Sequence, residues 1–289
     1  MKGKETANDS IQVLTDGSVW VDYGPMRIWI RVWEGDRTLI PLAKEGAQLA
    51  IAVLEDLARF LPVIKRKSLE LKKKKSFPEV VQRMVEATQK MGEADLTPLA
   101  AVAGAVSDMV ADFIFARGGS KIIVDNGGDI AIRLRENEAA KVGIKTEIEA
   151  PKPAYLLSID STMNIGGLAT SGLGGRSFTK GIAQAATVVA ETASLADAAA
   201  TTIGNFTNIE DSNILRLPAE KIYPDTDLKG EWVTVKVGEL SREKIGEALR
   251  AGLSKADLLV QRGLIKGALI SVQGKVGWTD SMNSWLTVL

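Results

Sequence analysis

Residues 26–33 alternate without a fault: Met26, Ile28, Ile30 and Val32 on one side, Arg27, Trp29, Arg31 and Trp33 on the other. Successive side chains of an extended chain point to opposite faces, so a period of two predicts a strand with one face in a core. Tryptophans on the second face predict that this side is covered too. Residues 11–14 and 18–23 flank Asp16-Gly17, a pair that tolerates φ > 0 and turns hairpins. The chain therefore begins as a strand meander, which later segments have to cover.

Residues 43–61 carry Leu49, Val53, Leu57 and Leu61 at intervals of four, one stripe of a helix. The basic run Lys65-Arg66-Lys67 and Lys72 to Lys75 reads as a solvated connector, with its counter-charges elsewhere. Pro78 opens a helix to Met91, at a position where a missing N–H costs nothing. Thr97-Pro98 opens another, with Thr97 as N-cap. Up to Ser107 that helix is rich in Ala and Gly, so another backbone or a ligand can lie against it. Strands follow at 121–124 and 130–134, joined by a turn at 125–129, then a strand at 155–159. A glycine-rich loop is expected at 165–181, a strand at 185–190 and a helix at 194–204 ended by Gly204. The last third predicts a strand at 232–237, helices at 242–249 and 255–262, and strands at 268–272 and 275–278 turning at Gly274. Strands and helices interspersed without a βαβ rhythm predict an α+β fold, a mixed sheet with packed helices. The expectation is one domain over 1–289, with 1–95 as a sheet-and-helix subregion and 96–289 carrying the motifs.

Composition narrows the chemistry. Lys plus Arg and Asp plus Glu are 36 each, so the net charge is zero. Binding nucleic acid or anionic membrane needs a basic excess, and neither is expected as a partner. The chain has no Cys and no His. That removes disulfides, thiolate nucleophiles, Ser-His-Asp and Cys-His catalysis, and most zinc chemistry. What is left is carboxylates, Lys, Tyr, hydroxyls, backbone dipoles or a hard cation such as Mg²⁺. The opening MKGKETANDS lacks the apolar core of a signal peptide, and the longest unbroken run of apolar or small residues is 99–106. A membrane helix needs about 18 such residues, so a cytoplasmic protein is expected.

Three segments can carry chemistry. Asp125-Asn126-Gly127-Gly128-Asp129 sits between two apolar strands; its carboxylates and amide suit ribose hydroxyls, an amide edge or a cation, and the same letters also make an ordinary hairpin turn. Residues 165–181 hold six glycines, four hydroxyls and the cations Arg176 and Lys180, which suits an anion held by backbone N–H groups, or else a flexible surface loop. The spacing is that of neither a P-loop nor a dinucleotide fingerprint. In Ser194-Leu195-Ala196-Asp197-Ala198-Ala199-Ala200-Thr201, Asp197 and Thr201 lie one helical turn apart. They suit Mg²⁺ completed by water and phosphate, or a buried Asp–Thr hydrogen bond.

In this order the three segments resemble the ApbE-like family, best known for FAD:protein FMN transferases, and within it the short cytosolic branch of archaea and anaerobic bacteria. The resemblance runs from about Thr97 to Asn205. Asp125-Asn126-Gly127-Gly128-Asp129 resembles the family's Asn-x-Gly-Gly-Asp with the Asn displaced by one position, Thr170-Ser171-Gly172 its Thr-Ser-Gly, and Ala196-Asp197-Ala198 with Thr201 its Ala-Asp-Ala-x-x-Thr. Asp108 resembles the Asp that closes the family's small-residue helix motif. The resemblance implies an ApbE-like, T-fold-related architecture and Mg²⁺ on Asp197 and Thr201. It also implies FAD held by Asn126, Gly127, Gly128, Asp129, Thr170, Ser171, Gly172, Arg176 and Lys180, and an acceptor protein with a flavinylated threonine. The chain departs from the family in having Ala103-Gly104 for Lys-Gly and Gly175-Arg176-Ser177-Phe178-Thr179 where the transferases carry His-His-Ile-x-Asp-Pro. With no imidazole, a proton acceptor would have to be a carboxylate such as Asp129 or Asp197, or a metal-bound hydroxide, so transferase activity is expected to be weak. Three readings stand: a Mg²⁺-dependent FMN transferase, a non-catalytic flavin or nucleotide binder, and a structural or interaction protein on the same fold.

Overall fold

The alternating segment becomes β3 of a large antiparallel sheet, and Met26, Ile28, Ile30 and Val32 are all buried. The computed structural model describes residues 10–72, 74–147 and 150–289. The opening nine residues and Lys73 of the basic run lie outside the described residues.

In chain order the first elements are β1 (Ile11–Val13), β2 (Val19–Tyr23), β3 (Met26–Glu34), β4 (Arg37–Thr38), α1 (Ile40–Arg59), α2 (Leu61–Ile64) and α3 (Glu79–Met91). A 3-10 turn at Pro98–Ala101 leads into α4 (Val102–Ala116). Then come β5 (Lys121–Asn126), β6 (Asp129–Leu134), β7 (Ala139–Ile144), β8 (Tyr155–Asp160), β9 (Gly167–Ser171), β10 (Ala185–Ala190) and α5 (Ala193–Phe206). The chain closes with β11 (Ile214–Pro218), α6 (Ala219–Ile222), β12 (Trp232–Val237), α7 (Arg242–Gln261), β13 (Gly267–Val272), β14 (Lys275–Trp278) and β15 (Leu286–Val288).

The main sheet has ten strands in the order β1-β2-β3-β5-β6-β9-β10-β13-β14, with β4 paired to β3. One face takes the helices: α1 lies over β2 and β3, α4 over β5 and β6, α5 over β9 and β10, and α7 over β13 and β14. On the other face a three-stranded sheet, β15-β8-β7, buries Leu157 and Ile159 against Ile132, Leu168, Val189 and Leu269. β10 runs between the two layers, and all six of its residues are buried.

Several expectations are corrected. The glycine-rich 165–181 segment is not loop throughout, because β9 pairs with β6 on one edge and β10 on the other. Its backbone hydrogen bonds, which composition does not report, decide the matter. Gly204 does not end α5, which continues to Phe206. The two helices expected at 242–249 and 255–262 are one, α7, because Gly252 packs against Thr207 and Ile270 inside it. Leu61 falls outside the α1 stripe; the helix breaks at Phe60, and Leu61 is 42% exposed. Thr97 does not cap with its side chain, because its hydroxyl donates to Asp227. Trp29 and Trp33 are half-buried under cations, with Arg31 stacked 4.2 Å from the Trp29 ring and Lys121 5.1 Å from the Trp33 ring. The basic run does find its counter-charges far along the chain: Lys65 pairs with Asp225 at 2.8 Å and Lys67 with Glu231 at 2.8 Å.

Pro98–Ala116 is long and apolar enough to cross a membrane by length and composition, yet half of it is buried in the fold. Its close neighbour is α5. A Cβ on Gly104 would sit 2.3 Å from the Ala193 carbonyl oxygen, so only glycine lets the two backbones meet there. Gly104→Ala should therefore cost about 1–3 kcal/mol in urea unfolding. Gly204→Ala is the matched control. Its Cβ would have 3.9 Å of clearance, and helix propensity favours it by about 0.5–1 kcal/mol. Equal effects of the two changes would refute a tight α4–α5 crossing.

Candidate functional site

A helix begins with backbone N–H groups that have no partner inside the helix. At the α4–α5 crossing each helix supplies the other with an aspartate for them. Asp108 of α4, fully buried, accepts from Ala193 N at 3.0 Å and Ser194 N at 2.8 Å. Thr192 completes that cap, accepting from Leu195 N at 3.3 Å. In return Asp197 of α5 accepts from Gly104 N at 3.0 Å, and from the Ala103 N–H. Arg133 of β6 neutralises Asp108 at 3.0 Å.

The β5–β6 hairpin is fastened to the same place. Its turn proper is Gly127-Gly128, with φ of 72° and 103°. Asp125 and Asn126 belong to β5 and Asp129 to β6, with Asn126 and Asp129 as the closing pair. This is tighter than the five-residue turn expected from sequence. Ser107 of α4 donates to the Asp129 carbonyl at 2.8 Å, and the Asn126 amide reaches the Ala103 carbonyl at 3.4 Å. Thr170, near the end of β9, donates its backbone N–H to Asp129. Asn126, Gly127, Gly128, Asp129, Thr170 and Asp197 thus meet in one corner, with Thr201 one turn further along α5.

Three carboxylates crowd this corner. Loss of water raises Asp197 to about 7, against the lowering pull of the Gly104 and Ala103 N–H groups; the Asp108 charge adds to the rise. Asp129 is pushed well above the ordinary carboxylate range by loss of water, then by the charges of Asp197 and Asp125. Burial raises Asp125 as well, although it accepts the Gly128 N–H at 2.8 Å.

The remaining candidates spread out. Ser171 faces Gly204 of α5, and Gly172 packs against the Gln184 carbonyl. Arg176 donates to the Pro25 carbonyl at 3.2 Å and lies beside Gly127. Lys180 points elsewhere. Its ammonium pairs with Asp95 and, at 3.3 Å, with Glu231, and it lines a cavity of about 330 Å³ with Thr202, Asn205 and Phe206. Neither Asp129 nor Asp197 borders that cavity.

Sequence reasoning missed the buried Arg133–Asp108 pair and its extension. Asp112 joins Arg133 at 2.7 Å to Arg83 at 2.6 Å, on the wall of a second cavity of about 520 Å³. The charges are visible in the sequence, but nothing in their spacing pairs a helix with a strand. In place of the alternative Asp197–Thr201 hydrogen bond, Asp197 accepts from the Gly104 and Ala103 N–H groups at the start of α4.

The profile of the family described as AbpE bacteria matches residues 11–278. The chain belongs to this ApbE-like family. It is 37% identical over 171 residues to a UPF0280 protein of Methanosarcina barkeri (strain Fusaro / DSM 804), a match over 59% of this chain and 65% of that protein. With a UPF0280 protein of Methanocella arvoryzae it shares 43% over 129 residues, 44% of this chain and 50% of the relative. The chain thus spans less than two thirds of these curated relatives. Among solved structures it is similar to the apo form of the Pseudomonas stutzeri flavinyl transferase ApbE, with TM-score 0.54 and 14% identity over 96% of this chain and 98% of that one. It is also similar to a Vibrio cholerae flavin transferase ApbE, with TM-score 0.51 and 13% identity over 93% and 99%. The α+β, ApbE-like fold read from the sequence is the fold observed.

The raised carboxylates make stability depend on pH. Asp197 titrates near 7 in the folded chain and near 4 when unfolded. Between those values the folded state holds a proton that the unfolded chain has released, so the contribution of Asp197 to stability falls as pH rises and is lost above about 7. Asp129 acts in the same direction. Asp197→Asn keeps an acceptor for Gly104 and removes the charge. Thermal melts without divalent ions, between about pH 4 and 8, should give a shallower slope for the variant. An identical slope would assign the dependence to other groups.

Proposed function

We propose that the ApbE-like corner binds FAD with Mg²⁺ and transfers FMN to a threonine of an acceptor protein, with AMP as the leaving group. The observation that carries this reading is the meeting of the Asn126–Asp129 hairpin with Asp197, beside the end of β9 and under Arg176. Asp197 is a crowded carboxylate beside Asp129, short of positive charge, and Thr201 adds a hydroxyl one turn on. That donor set suits a hard cation that keeps several waters and phosphate oxygens. Among the described residues no three acidic side chains group closely enough to hold a metal ion by themselves, so water and phosphate oxygens would have to complete the set.

When bound, the cation would supply Lewis-acid polarisation of the pyrophosphate. The chain's own groups do the rest. The turn at Gly127-Gly128, with no side chains, admits a ligand close to the backbone, and Arg176 offers a planar fork to phosphate oxygens. Thr170, Ser171 and Gly172 lie where the end of β9 approaches α5. The threonine Oγ–phosphorus bond forms as the bridging phosphorus–oxygen bond to AMP breaks, and the hydroxyl proton passes to a carboxylate oxygen. Asp129 suits that task because burial and its acidic neighbours raise its proton affinity above that of an ordinary carboxylate. Lys180, paired with Asp95 and Glu231, serves the ligand only if those pairs open.

One observation favours a second reading. The chain has no histidine, so a flavin or nucleotide binder without transferase activity can share this site. Both readings carry the sequence expectations of a cytoplasmic protein without nucleic-acid or membrane partners. They also treat 1–289 as one domain, which the main sheet supports by drawing strands from both 1–95 and 96–289.

The test is an absorbance spectrum of the purified protein with and without FAD and Mg²⁺, then incubation with a threonine-bearing acceptor peptide and mass spectrometry. The transferase reading expects a yellow, Mg²⁺-dependent complex and an FMN mass increment on the peptide. Binding without labelling selects the carrier reading. No flavin binding at any Mg²⁺ concentration would overturn both.

A further inference from the structure

We infer that Arg176 and the divalent cation are alternative counter-charges for the same carboxylates, so that Arg176 sets the metal affinity of the site and is released toward the nucleotide when the cation arrives. The inference rests on the proposed metal and nucleotide reading of this corner.

The loop between β9 and β10 is tied at both ends. At the first, Leu173 N donates to the Ala183 carbonyl at 2.9 Å. At the second, Lys180 N donates to Asn205 at 2.9 Å, Ile182 N and Ala183 N both donate to the Thr207 hydroxyl at 2.9 Å, and Thr234 N donates to the Thr179 carbonyl at 2.8 Å. The tip at 174–177 is exposed, with Gly174 at a φ of 82°. Its tie to the rest of the fold is the Arg176 side chain, which crosses the β5–β6 turn to the Pro25 carbonyl. The guanidinium rests where a Cβ on Gly127 would be 3.6 Å from Nη1. Gly127 stands two residues from Asp125 and two from Asp129.

A neutral carbonyl alone is a modest partner for a full charge. Among the described residues Arg176 has no ion pair within 4.0 Å, whereas Lys180 is paired twice. What else draws the guanidinium over this turn is its attraction to the Asp129 carboxylate when that group is ionised. A dication at Asp197, beside Asp129, weakens that attraction. The glycine-bearing tip can then turn, and a phosphate group offers a better match for the fork than Pro25 does.

A merely structural Arg176 and this exchange predict different signs. Isothermal titration with Mg²⁺ alone should show Arg176→Gln binding the ion about three- to tenfold more tightly than wild type, because a repelling unit charge is gone. The gap should shrink in high salt. Arg176→Lys, which keeps the charge, should stay near wild type. With saturating Mg²⁺, FAD should bind Arg176→Gln about tenfold more weakly. An arginine that only braces the loop would weaken both ligands on removal, and that result overturns the exchange. So does unchanged Mg²⁺ affinity in Arg176→Gln when wild type binds the ion, and the proposed function then stands. If wild type binds neither Mg²⁺ nor Mn²⁺, the metal reading fails and the exchange fails with it.

Discussion

Two helices that cap each other hold the acidic corner of this molecule in place. The first turns of α4 and α5 cross at Gly104, and the start of each is completed by an aspartate of the other, Asp108 for α5 and Asp197 for α4. Neither aspartate cap is local in sequence, so apart from the Thr192 bond to Leu195 N the helix starts are not satisfied until both helices have docked on the sheet. A buried carboxylate without partners would cost several kcal/mol. Asp108 avoids this with two N–H donors and Arg133. Through Arg133 the crossing is tied to the Gly166 carbonyl at 2.8 Å, and through Asp112 and Arg83 to α3.

The crossing also explains why the corner is acidic. Capping brings Asp197 near Asp129, and the β5–β6 hairpin, fastened by Ser107 and Asn126, brings Asp125 with it. Arg133 is spent on Asp108 and Asp112, and Lys180 on Asp95 and Glu231. Carboxylates therefore gather faster than cations, and proton affinity rises where water is excluded. Structural and chemical roles of Asp197 are not rivals here. The fold places the residue as a cap, and the charge it carries there is what a cation or phosphate-bearing ligand would meet.

Much of this was legible in order along the chain. The alternation at 26–33, the Asp16-Gly17 turn, the strand at 185–190 and the helix around Asp197 all rest on near-neighbour patterns, and those survived packing. Of the candidate residues, Asn126, Gly127, Gly128, Asp129, Thr170 and Asp197 come together, while Ser171 and Gly172 lie towards Gly204 and Gln184 and Lys180 pairs with Asp95 and Glu231. The failures share a cause. β9 was hidden because Gly, Ser and Thr look like a loop until both edges are paired. The interior glycines of α5 and α7 look like helix ends until Ser171, Thr207 and Ile270 are seen packed against them. Thr97 looks like a cap until Asp227, distant in the chain, claims its hydroxyl.

Residue types and their spacing restricted the side chains open to any chemistry here and set the class of fold. Without His or Cys the chain is left with carboxylates, hydroxyls, backbone dipoles and hard cations, and its periodicities permit strands and helices in few arrangements. Those are properties of residue type and spacing, which no packing can change. The tertiary structure alone decided which charges were already spent. Arg176 and Lys180 are equal cations four residues apart in the sequence. One lies beside the acidic corner on a single neutral carbonyl, and the other is paired with Asp95 and Glu231 on another face of α5. The difference is one of distance to partners more than fifty residues away, and Coulomb interactions depend on that distance, not on position along the chain.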